Sequence, residues 1–139
     1  AAGARCEQWS VDLVEPAPVA ERLAAWLAGE AARGYGRAVL VNNAAALPRI
    51  TPLADSDPAD LTRTLRVGLE APLLLSAAFL RATRGWTAER RILNISSGLG
   101  RRAMASQAAY CAVKAGLDHA SRALALEGYG SGSEWQGGL

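Results

Sequence analysis

The sequence predicts an α/β domain in which a parallel sheet lies between two layers of helices. Half of the residues are apolar, and much of that content is alanine and leucine, which favours helices. Short apolar runs alternate along the chain with longer segments of helical periodicity. Strands that alternate with helices are joined by right-handed crossovers and form parallel sheets. The expected architecture is therefore a three-layer α/β/α sandwich.

The first half of the chain holds two predicted strands and one predicted helix. Residues 8–13 (QWSVDL) are expected to form a short strand that ends at an acidic residue. Residues 19–33 place apolar side chains at helical spacing, and Gly34 is a natural stop. Residues 37–41 (RAVLV) are a short apolar run, typical of a strand that is buried on both faces.

The second half holds two predicted helices and one predicted strand. A capping aspartate ahead of a proline begins a helix at about 58–84. Pro72 is expected to kink this helix or to be tolerated by a local adjustment. Residues 91–96 (RILNIS) form a further buried strand, and a last helix spans about 107–127.

Composition excludes several classes of function. A net charge of +2 with scattered basic residues does not indicate a nucleic-acid surface. The longest apolar run, 71–80, is too short to span a bilayer. The two cysteines do not make a disulfide framework, so we expect a reduced, cytoplasmic setting. No metal site is predicted, because His119 is the only histidine and no paired Cys/His spacing accompanies it.

Polar residues stand where the predicted strands end. These are Asp12 with Leu13, Asn42 with Asn43, and Ser96 with Ser97. Sheets of this kind bind ligands at the carboxyl ends of their strands. Each pair also has a plain structural interpretation, as a strand-end cap or a turn.

Tyr110 and Lys114 carry the chemistry that the sequence suggests. They are four residues apart on a predicted helix, so both project from one face. A phenol is a weak acid at neutral pH, and an ammonium beside it lowers the pKa of the phenol. A hydroxyl such as Ser97 could hold a substrate carbonyl next to that phenol. The set could give a proton to a carbonyl oxygen or take one from an alcohol, with a bound cofactor transferring hydride.

Three segments together resemble the short-chain dehydrogenase/reductase family. ILNISSGLGRRAMASQAAYCAVKAGLDHASRALALE resembles the active-site stretch of the family, with Ser97 thirteen residues before Tyr110. VLVNNAA (39–45) resembles its N-N-A-G strand ending, and SVDLVEP (10–16) its aspartate-hydrophobic pair. The resemblance covers roughly residues 8–128.

The resemblance implies a Rossmann-like doubly wound fold and an NAD(P)-dependent oxidoreductase acting on a carbonyl or alcohol substrate. Tyr110 is implied as the general acid/base, and Ser97 as the residue that orients the substrate oxygen. Lys114 is implied to lower the pKa of the tyrosine and to hold the nicotinamide ribose.

Further residues are implied as contacts of the cofactor. Asp12 and Leu13 would border the adenine ring, and Asn43, Ala44 and Ala45 would pack on the ribose side. A similarity of YCAVKAGLD and its loop to the sepiapterin and benzil reductase branch favours NADP(H) over NAD(H) and a dicarbonyl-type substrate. Family members pair subunits through helices like those at 58–84 and 107–127, which implies a homodimer or homotetramer.

The chain departs from the family pattern in three ways. Ala45 replaces a usual glycine, and Gly68 stands where the family has a mid-helix asparagine. The glycine-rich turn that holds the pyrophosphate and the segment after the last helix are both missing, so we expect residues 1–139 to be the central part of one Rossmann-like domain. The glycine- and serine-rich tail, 128–139, is expected to be loose.

Two other interpretations remain open. A catalytically silent family member, or a truncated module for binding or assembly, is consistent with Gly68 and the missing ends. A nucleic-acid-binding domain rests only on a pI of about 8.8 and on Arg101 and Arg102. In that loop the two arginines could instead meet an anionic substrate or a cofactor phosphate. The identity of the substrate is not evident from the sequence.

Overall fold

A computed structural model of the chain describes residues 3–129. Four α-helices and two strands make up the fold, and a turn of π-helix joins the second helix to the third. The elements are α1 (Pro16–Glu30), β1 (Arg37–Asn42), α2 (Pro58–Leu65), the π turn (Arg66–Glu70), α3 (Ala71–Ala82), β2 (Glu89–Asn94) and α4 (Ala108–Leu126).

The two strands pair in parallel, with Arg37 opposite Glu89 and Asn42 opposite Asn94. Helix α1 packs on α3, α3 contacts both strands, and α4 contacts β2. Successive residues of each strand alternate in exposure, and Val41 and Leu93 are each 51% exposed. The helices thus cover one face of the sheet. This is part of a Rossmann-like α/β fold with a parallel sheet, as the sequence predicts. The expectation that the strands are buried on both faces is wrong for residues 3–129, because helices of this range cover only one face of the sheet.

The strand predicted at residues 8–13 is wrong, because this segment is irregular. Trp9 packs edge-on against Trp26 of α1 at 6.0 Å between ring centroids, and the Arg22 guanidinium lies 4.3 Å from the Trp9 ring centre. These contacts hold the segment across α1, where no strand backbone runs alongside it to accept a ladder of hydrogen bonds. Asp12 instead forms a turn, since its carboxylate accepts from Val14 N at 3.0 Å.

Pro72 is accommodated by the π turn between α2 and α3. The Ala71 N–H donates to the carbonyl of Arg66, five residues back. Proline has no N–H to continue the regular ladder, and a wider turn immediately ahead of it absorbs that loss. The helix predicted at 58–84 therefore runs with local adjustment as far as Ala82.

Helix boundaries follow the predicted start and stop signals. The Asp57 carboxylate accepts from Ala59 N at 2.9 Å and caps α2. Gly34 has φ +66°, the left-handed conformation that favours glycine at a helix end. Within residues 3–129, no helix is both long and apolar enough to cross a membrane. Most of the tail predicted to be loose, residues 130–139, lies outside the described part of the chain.

Candidate active site

The carboxyl ends of β1 and β2 meet at one edge of the sheet. Asn42 and Asn94 are the last paired residues of the two strands. One further backbone hydrogen bond follows them, from Ile95 N to the Asn42 carbonyl at 3.0 Å. Beyond these residues, one loop carries Asn43 and the other carries Ser97. The first turn of α4, with Tyr110, follows the second loop. The fold thus brings two of the three predicted strand ends together.

Tyr110 and Lys114 lie one helical turn apart on α4 and face the same side. The Lys114 ammonium is 5.7 Å from the centre of the Tyr110 ring. It also donates to the backbone carbonyl of Ile95 at 2.8 Å. Lys114 is only 3% exposed, whereas Tyr110 is half-buried. The arrangement places a buried cation beside a phenol that solvent and ligands can reach.

Burial of Lys114 lowers the pKa of its ammonium, and the nearby Asp118 carboxylate raises that pKa in part. Low-dielectric surroundings disfavour the charged form of a lysine. Lys114 is also the only lysine among 139 residues, so the other fourteen basic residues are arginines. A compact ammonium can be buried behind a tyrosine ring more readily than the wide guanidinium that this chain uses elsewhere.

Ser97 lies on a segment that contacts Lys114 at two points. On one side of it, the Ile95 carbonyl accepts from the Lys114 ammonium. After Ser97 in the chain, Gly100 lies close to the backbone of Lys114, and a Cβ atom added to this glycine would lie 3.1 Å from the lysine carbonyl. The Ser97 hydroxyl accepts from Leu99 N at 3.2 Å, which leaves its O–H available as a donor. The segment that carries Ser97 is therefore held against Lys114 at the sheet edge.

The residues predicted to contact a cofactor fall into two groups. Asn43, Ala44 and Ala45 follow β1 directly and are all exposed at the sheet edge. Asp12 and Leu13 lie in the turn ahead of α1 and do not end a strand. The expectation that they form a strand-end pair is therefore wrong in this structure, because the strand itself does not form.

The residues present fit the nicotinamide-ribose end of a dinucleotide. A lysine ammonium has three N–H donors, and one of them is used by Ile95, so two remain for ribose hydroxyls. The exposed backbone after β1 lies at the same edge of the sheet. When bound, a nicotinamide cofactor supplies the hydride.

A buried chain of polar side chains under this edge was not predicted. Asn42 Nδ2 donates to Ser76 Oγ at 3.2 Å and to Asn94 Oδ1 at 2.8 Å. Asn94 Nδ2 donates to Ser121 Oγ at 2.8 Å, and this hydroxyl donates to the Leu117 carbonyl at 2.8 Å. The chain links α3 to α4 through both strands. The signal in the sequence was an asparagine directly after one apolar run, at position 42, and another within the second run, at position 94.

Gly68 lies in the π turn and contacts α4 directly. A Cβ atom at Gly68 would lie 2.4 Å from Cγ1 of Val113, the residue before Lys114. A side chain does not fit there unless Val113 moves. The mid-helix glycine is thus matched by a bulky neighbour at the residue that precedes the buried lysine.

With this geometry in place, comparison with known proteins identifies the family. Residues 10–132 match the sequence profile of the short chain dehydrogenase family. The chain belongs to this family of oxidoreductases. Its partial Rossmann-like fold agrees with that assignment.

Among curated relatives, a benzil reductase ((S)-benzoin forming) from Bacillus cereus is 31% identical over 88 residues, covering 63% of this chain and 35% of the relative. L-xylulose reductase from Homo sapiens is 31% identical over 111 residues, covering 79% of this chain and 46% of the relative. The chain therefore spans less than half the length of these curated relatives.

Solved structures agree on the fold. A short-chain dehydrogenase/reductase from Burkholderia vietnamiensis superposes with a TM-score of 0.71 at 45% identity, over 84% of this chain and 56% of that one. A metagenomic short-chain oxidoreductase in complex with NADP has a TM-score of 0.71 at 38% identity, over 91% of this chain and 54% of that one. The fold and the family are thus shown by independent comparisons.

Proposed function

We propose that the complete protein transfers hydride between a nicotinamide cofactor and a carbonyl or alcohol substrate. The observation that carries this proposal is the Lys114 ammonium, buried and 5.7 Å from the centre of the Tyr110 ring. A cation in that position stabilises negative charge that develops on the phenol oxygen. Membership of the short chain dehydrogenase family supports this use of the pair.

Each residue of the candidate site has a distinct part in this proposal. Tyr110 gives a proton to the substrate oxygen during reduction, or takes it during oxidation. Ser97 donates its O–H to the same oxygen and orients it. Lys114 acts on Tyr110 through its charge and holds ribose hydroxyls with its two remaining donors.

For the cofactor, we propose the same contact residues that the family resemblance implies. Asn43, Ala44 and Ala45 would pack against the ribose side, and their exposure at the sheet edge supports this. Asp12 and Leu13 would border the adenine ring in the complete protein, in a conformation other than the turn seen here. We propose NADP(H) over NAD(H), because a structural relative at 38% identity is in complex with NADP. A 26% identical relative is complexed with NADH, so both cofactors belong in the assay.

Substrates with two neighbouring oxygen-bearing carbons are the class that we propose. Benzil reductases, an L-xylulose reductase and a D-erythrulose reductase are among the relatives. Benzil carries adjacent carbonyls, and the two ketoses carry a hydroxyl next to the carbonyl. A hydroxyl donor and a phenol at one sheet edge, Ser97 and Tyr110, suit a substrate whose carbonyl oxygen must be held by two donors.

The direct test is reduction of benzil and of L-xylulose by the full-length protein with NADPH and NADH, followed by nicotinamide absorbance. Tyr110→Phe is expected to lower kcat by roughly 10²-fold or more, as loss of a general acid does. Tyr35→Phe is the matched control, because Tyr35 lies on the segment before β1 and hydrogen-bonds Glu30. Unchanged turnover in Tyr110→Phe would refute the assignment of the general acid.

A catalytically silent protein is the second candidate. The packing of Val113 against Gly68 favours it, because no asparagine side chain fits at the position that aligns with the usual mid-helix asparagine of the family unless Val113 moves. Titration with NADPH separates the two candidates. Binding without turnover of any carbonyl tested would indicate the silent form, whereas turnover that depends on Tyr110 would exclude it.

We propose that the complete protein is a homodimer or a homotetramer assembled through the long helices. Leu65 and Leu73, on α2 and α3, are each 44% exposed, which supports an apolar contact on this side. Light scattering of the full-length protein tests the stoichiometry. A monomer at micromolar concentration would contradict the proposal. Replacing both leucines by lysine should dissociate the assembly.

We also propose a reducing, cytoplasmic setting for the complete protein. Cys6 and Cys111, the two cysteines, are both free thiols in the structure, which supports this. Fractionation of the source cells with an antibody tests the location. Recovery in a secreted fraction, with either thiol oxidised, would contradict it.

A further inference from the structure

Asp118 is a buried carboxylate to which the proposed reaction gives no part. It follows Lys114 by four residues on α4, so both project from the same face as Tyr110. Asp118 is only 9% exposed. Its Oδ2 atom is fully buried and has no hydrogen-bond partner within residues 3–129. A buried, unsatisfied carboxylate oxygen is unfavourable unless a nearby charge compensates it.

The loop that carries Ser97 closes over this carboxylate. A Cβ atom at Gly100 would lie 2.9 Å from Asp118 Oδ2 and 3.1 Å from the carbonyl carbon and oxygen of Lys114. Only glycine lets the loop approach both groups so closely. The carboxylate is thus enclosed between α4 and the loop, on the side of the buried ammonium.

The other charged groups near α4 are exposed, belong to other ion pairs or, in the case of Arg90, lie over the Tyr129 ring at 5.7 Å. Arg101 and Arg102 follow Gly100 in the loop and are exposed. On the π turn, Arg66 pairs with Glu15 at 3.1 Å and with Glu70 at 4.0 Å. On α2, Asp60 lies 3.9 Å from Arg49. On β2, Glu89 pairs with Arg91 at 2.6 Å and with Arg37 at 3.0 Å. Among residues 3–129, Lys114 is the buried cation on the helix face that carries Asp118.

We propose that Asp118 is a positioning residue that keeps Lys114 in its charged form beside Tyr110. It does so through its negative charge, one helical turn away in a low-dielectric site. This inference rests on the proposed function. The loop over the site contributes by excluding water, which would otherwise screen the interaction.

The direction of the electrostatic effect is consistent with this proposal. Burial lowers the pKa of Lys114, and Asp118 raises it. Without the carboxylate, the ammonium would lose its proton at a lower pH. A neutral lysine no longer places a positive charge beside the Tyr110 ring. Removal of the Asp118 charge should therefore shift the alkaline loss of activity to lower pH.

The test is the pH dependence of kcat/KM of the full-length protein with benzil and NADPH. In Asp118→Asn, which keeps the shape and removes the charge, we expect the alkaline limb to move to lower pH. On that limb kcat/KM should fall on the order of tenfold below wild type, short of the roughly 10²-fold or larger loss expected for a general acid. Asp118→Glu restores the charge and should return the limb towards its wild-type position.

Glu127→Gln is the matched control, because this carboxylate is exposed at the end of α4 and its loss should leave the profile unchanged. A profile of Asp118→Asn that coincides with wild type, in a protein of unchanged melting temperature, overturns the inference. Asp118→Ser is the second uncharged variant. If both uncharged variants fail to fold, the carboxylate is a folding determinant and the inference is also overturned.

These results are distinct from failure of the proposed function. A full-length protein that binds no nicotinamide cofactor, or whose turnover survives Tyr110→Phe, refutes the oxidoreductase chemistry itself. Turnover that depends on Tyr110 but has the same pH profile with and without the Asp118 charge refutes only the positioning role.

Discussion

The side chain of Val113 fills the space that a residue larger than glycine would need at position 68. A Cβ atom at Gly68 would lie 2.4 Å from Val113 Cγ1, which is shorter than any real contact between carbon atoms. Val113 is only 1% exposed and precedes Lys114 on α4. A larger residue at position 68 therefore fits only if Val113 moves or is replaced by a smaller residue.

We expect Gly68→Ala to lower the free energy of unfolding by about 1–3 kcal/mol, because the added methyl overpacks the core against Val113. The double variant Gly68→Ala/Val113→Ala should be more stable than the sum of the single changes predicts, with a coupling of about 0.5–3 kcal/mol. Urea denaturation measures all three variants. Gly29→Ala is the control, since a Cβ there meets nothing within 4 Å. If the effects of the two single substitutions on the free energy of unfolding were strictly additive, the π turn and α4 would be able to move apart freely at this contact.

Lys114→Met should abolish turnover while leaving the protein folded. It should also change the pH dependence of stability. Because burial lowers the pKa of Lys114, the unfolded chain keeps a proton that the folded protein has lost, from the lowered pKa up to about 10.5. The free energy of unfolding of the wild type should rise with pH across that window, and the rise should be absent in the variant.

Denaturation curves at several pH values, with Arg122→Met as an exposed-cation control on the same helix, measure this difference. The pKa of Tyr35 is raised by its hydrogen bond to Glu30. Tyr35 is present in both proteins, so its contribution to the pH dependence cancels when the two curves are subtracted. Parallel curves for wild type and Lys114→Met would mean that the lysine is not desolvated.

Gly100→Ala should lower kcat/KM on the order of tenfold, because the new methyl displaces the loop that bears Ser97. The methyl would lie 2.9 Å from Asp118 Oδ2 and 3.1 Å from the Lys114 backbone. Steady-state kinetics of the full-length protein test this. Gly85→Ala serves as the control, since its Cβ would meet nothing within 4 Å. Wild-type kinetics in Gly100→Ala would show that the position of the loop is unimportant.

Asn94→Ala should lower the free energy of unfolding by about 1–3 kcal/mol, because it removes one of the two acceptors of the buried Asn42 amide and a donor to Ser121. Thermal unfolding followed by circular dichroism measures the change. Asn43→Ala, at an exposed position, should shift stability by no more than about 0.5 kcal/mol. Equal effects of the two substitutions would contradict the importance of the buried chain.

Local signals predicted most of the secondary structure. A cap at Asp57 and a left-handed glycine at Gly34 act within a few residues, so the sequence alone indicates where helices begin and end. The segment 8–13 was mispredicted because a strand exists only where another backbone runs beside it. Which backbone runs there is decided by packing over long distances, here by Trp9 against Trp26.

The candidate site was predictable to the extent that it lies on one helix. The spacing of Tyr110 and Lys114 implies that they share a face, and the structure places the cation against the ring. The contacts of Asp118 with Gly100 could not be inferred, because they depend on how a loop folds back on α4. The asparagine pair likewise required knowledge of the strand register.

The hydrogen bond between Asn42 and Asn94 also acts as a check on strand alignment during folding. Side chains of a strand alternate between its two faces, so a slip of one residue would turn one asparagine towards the open face and leave the serines on both helices unmatched. Misaligned pairings thus carry several unsatisfied polar groups at once. The two asparagine amides therefore favour the native strand register over registers shifted by one residue. Apolar side chains alone would distinguish these registers only weakly.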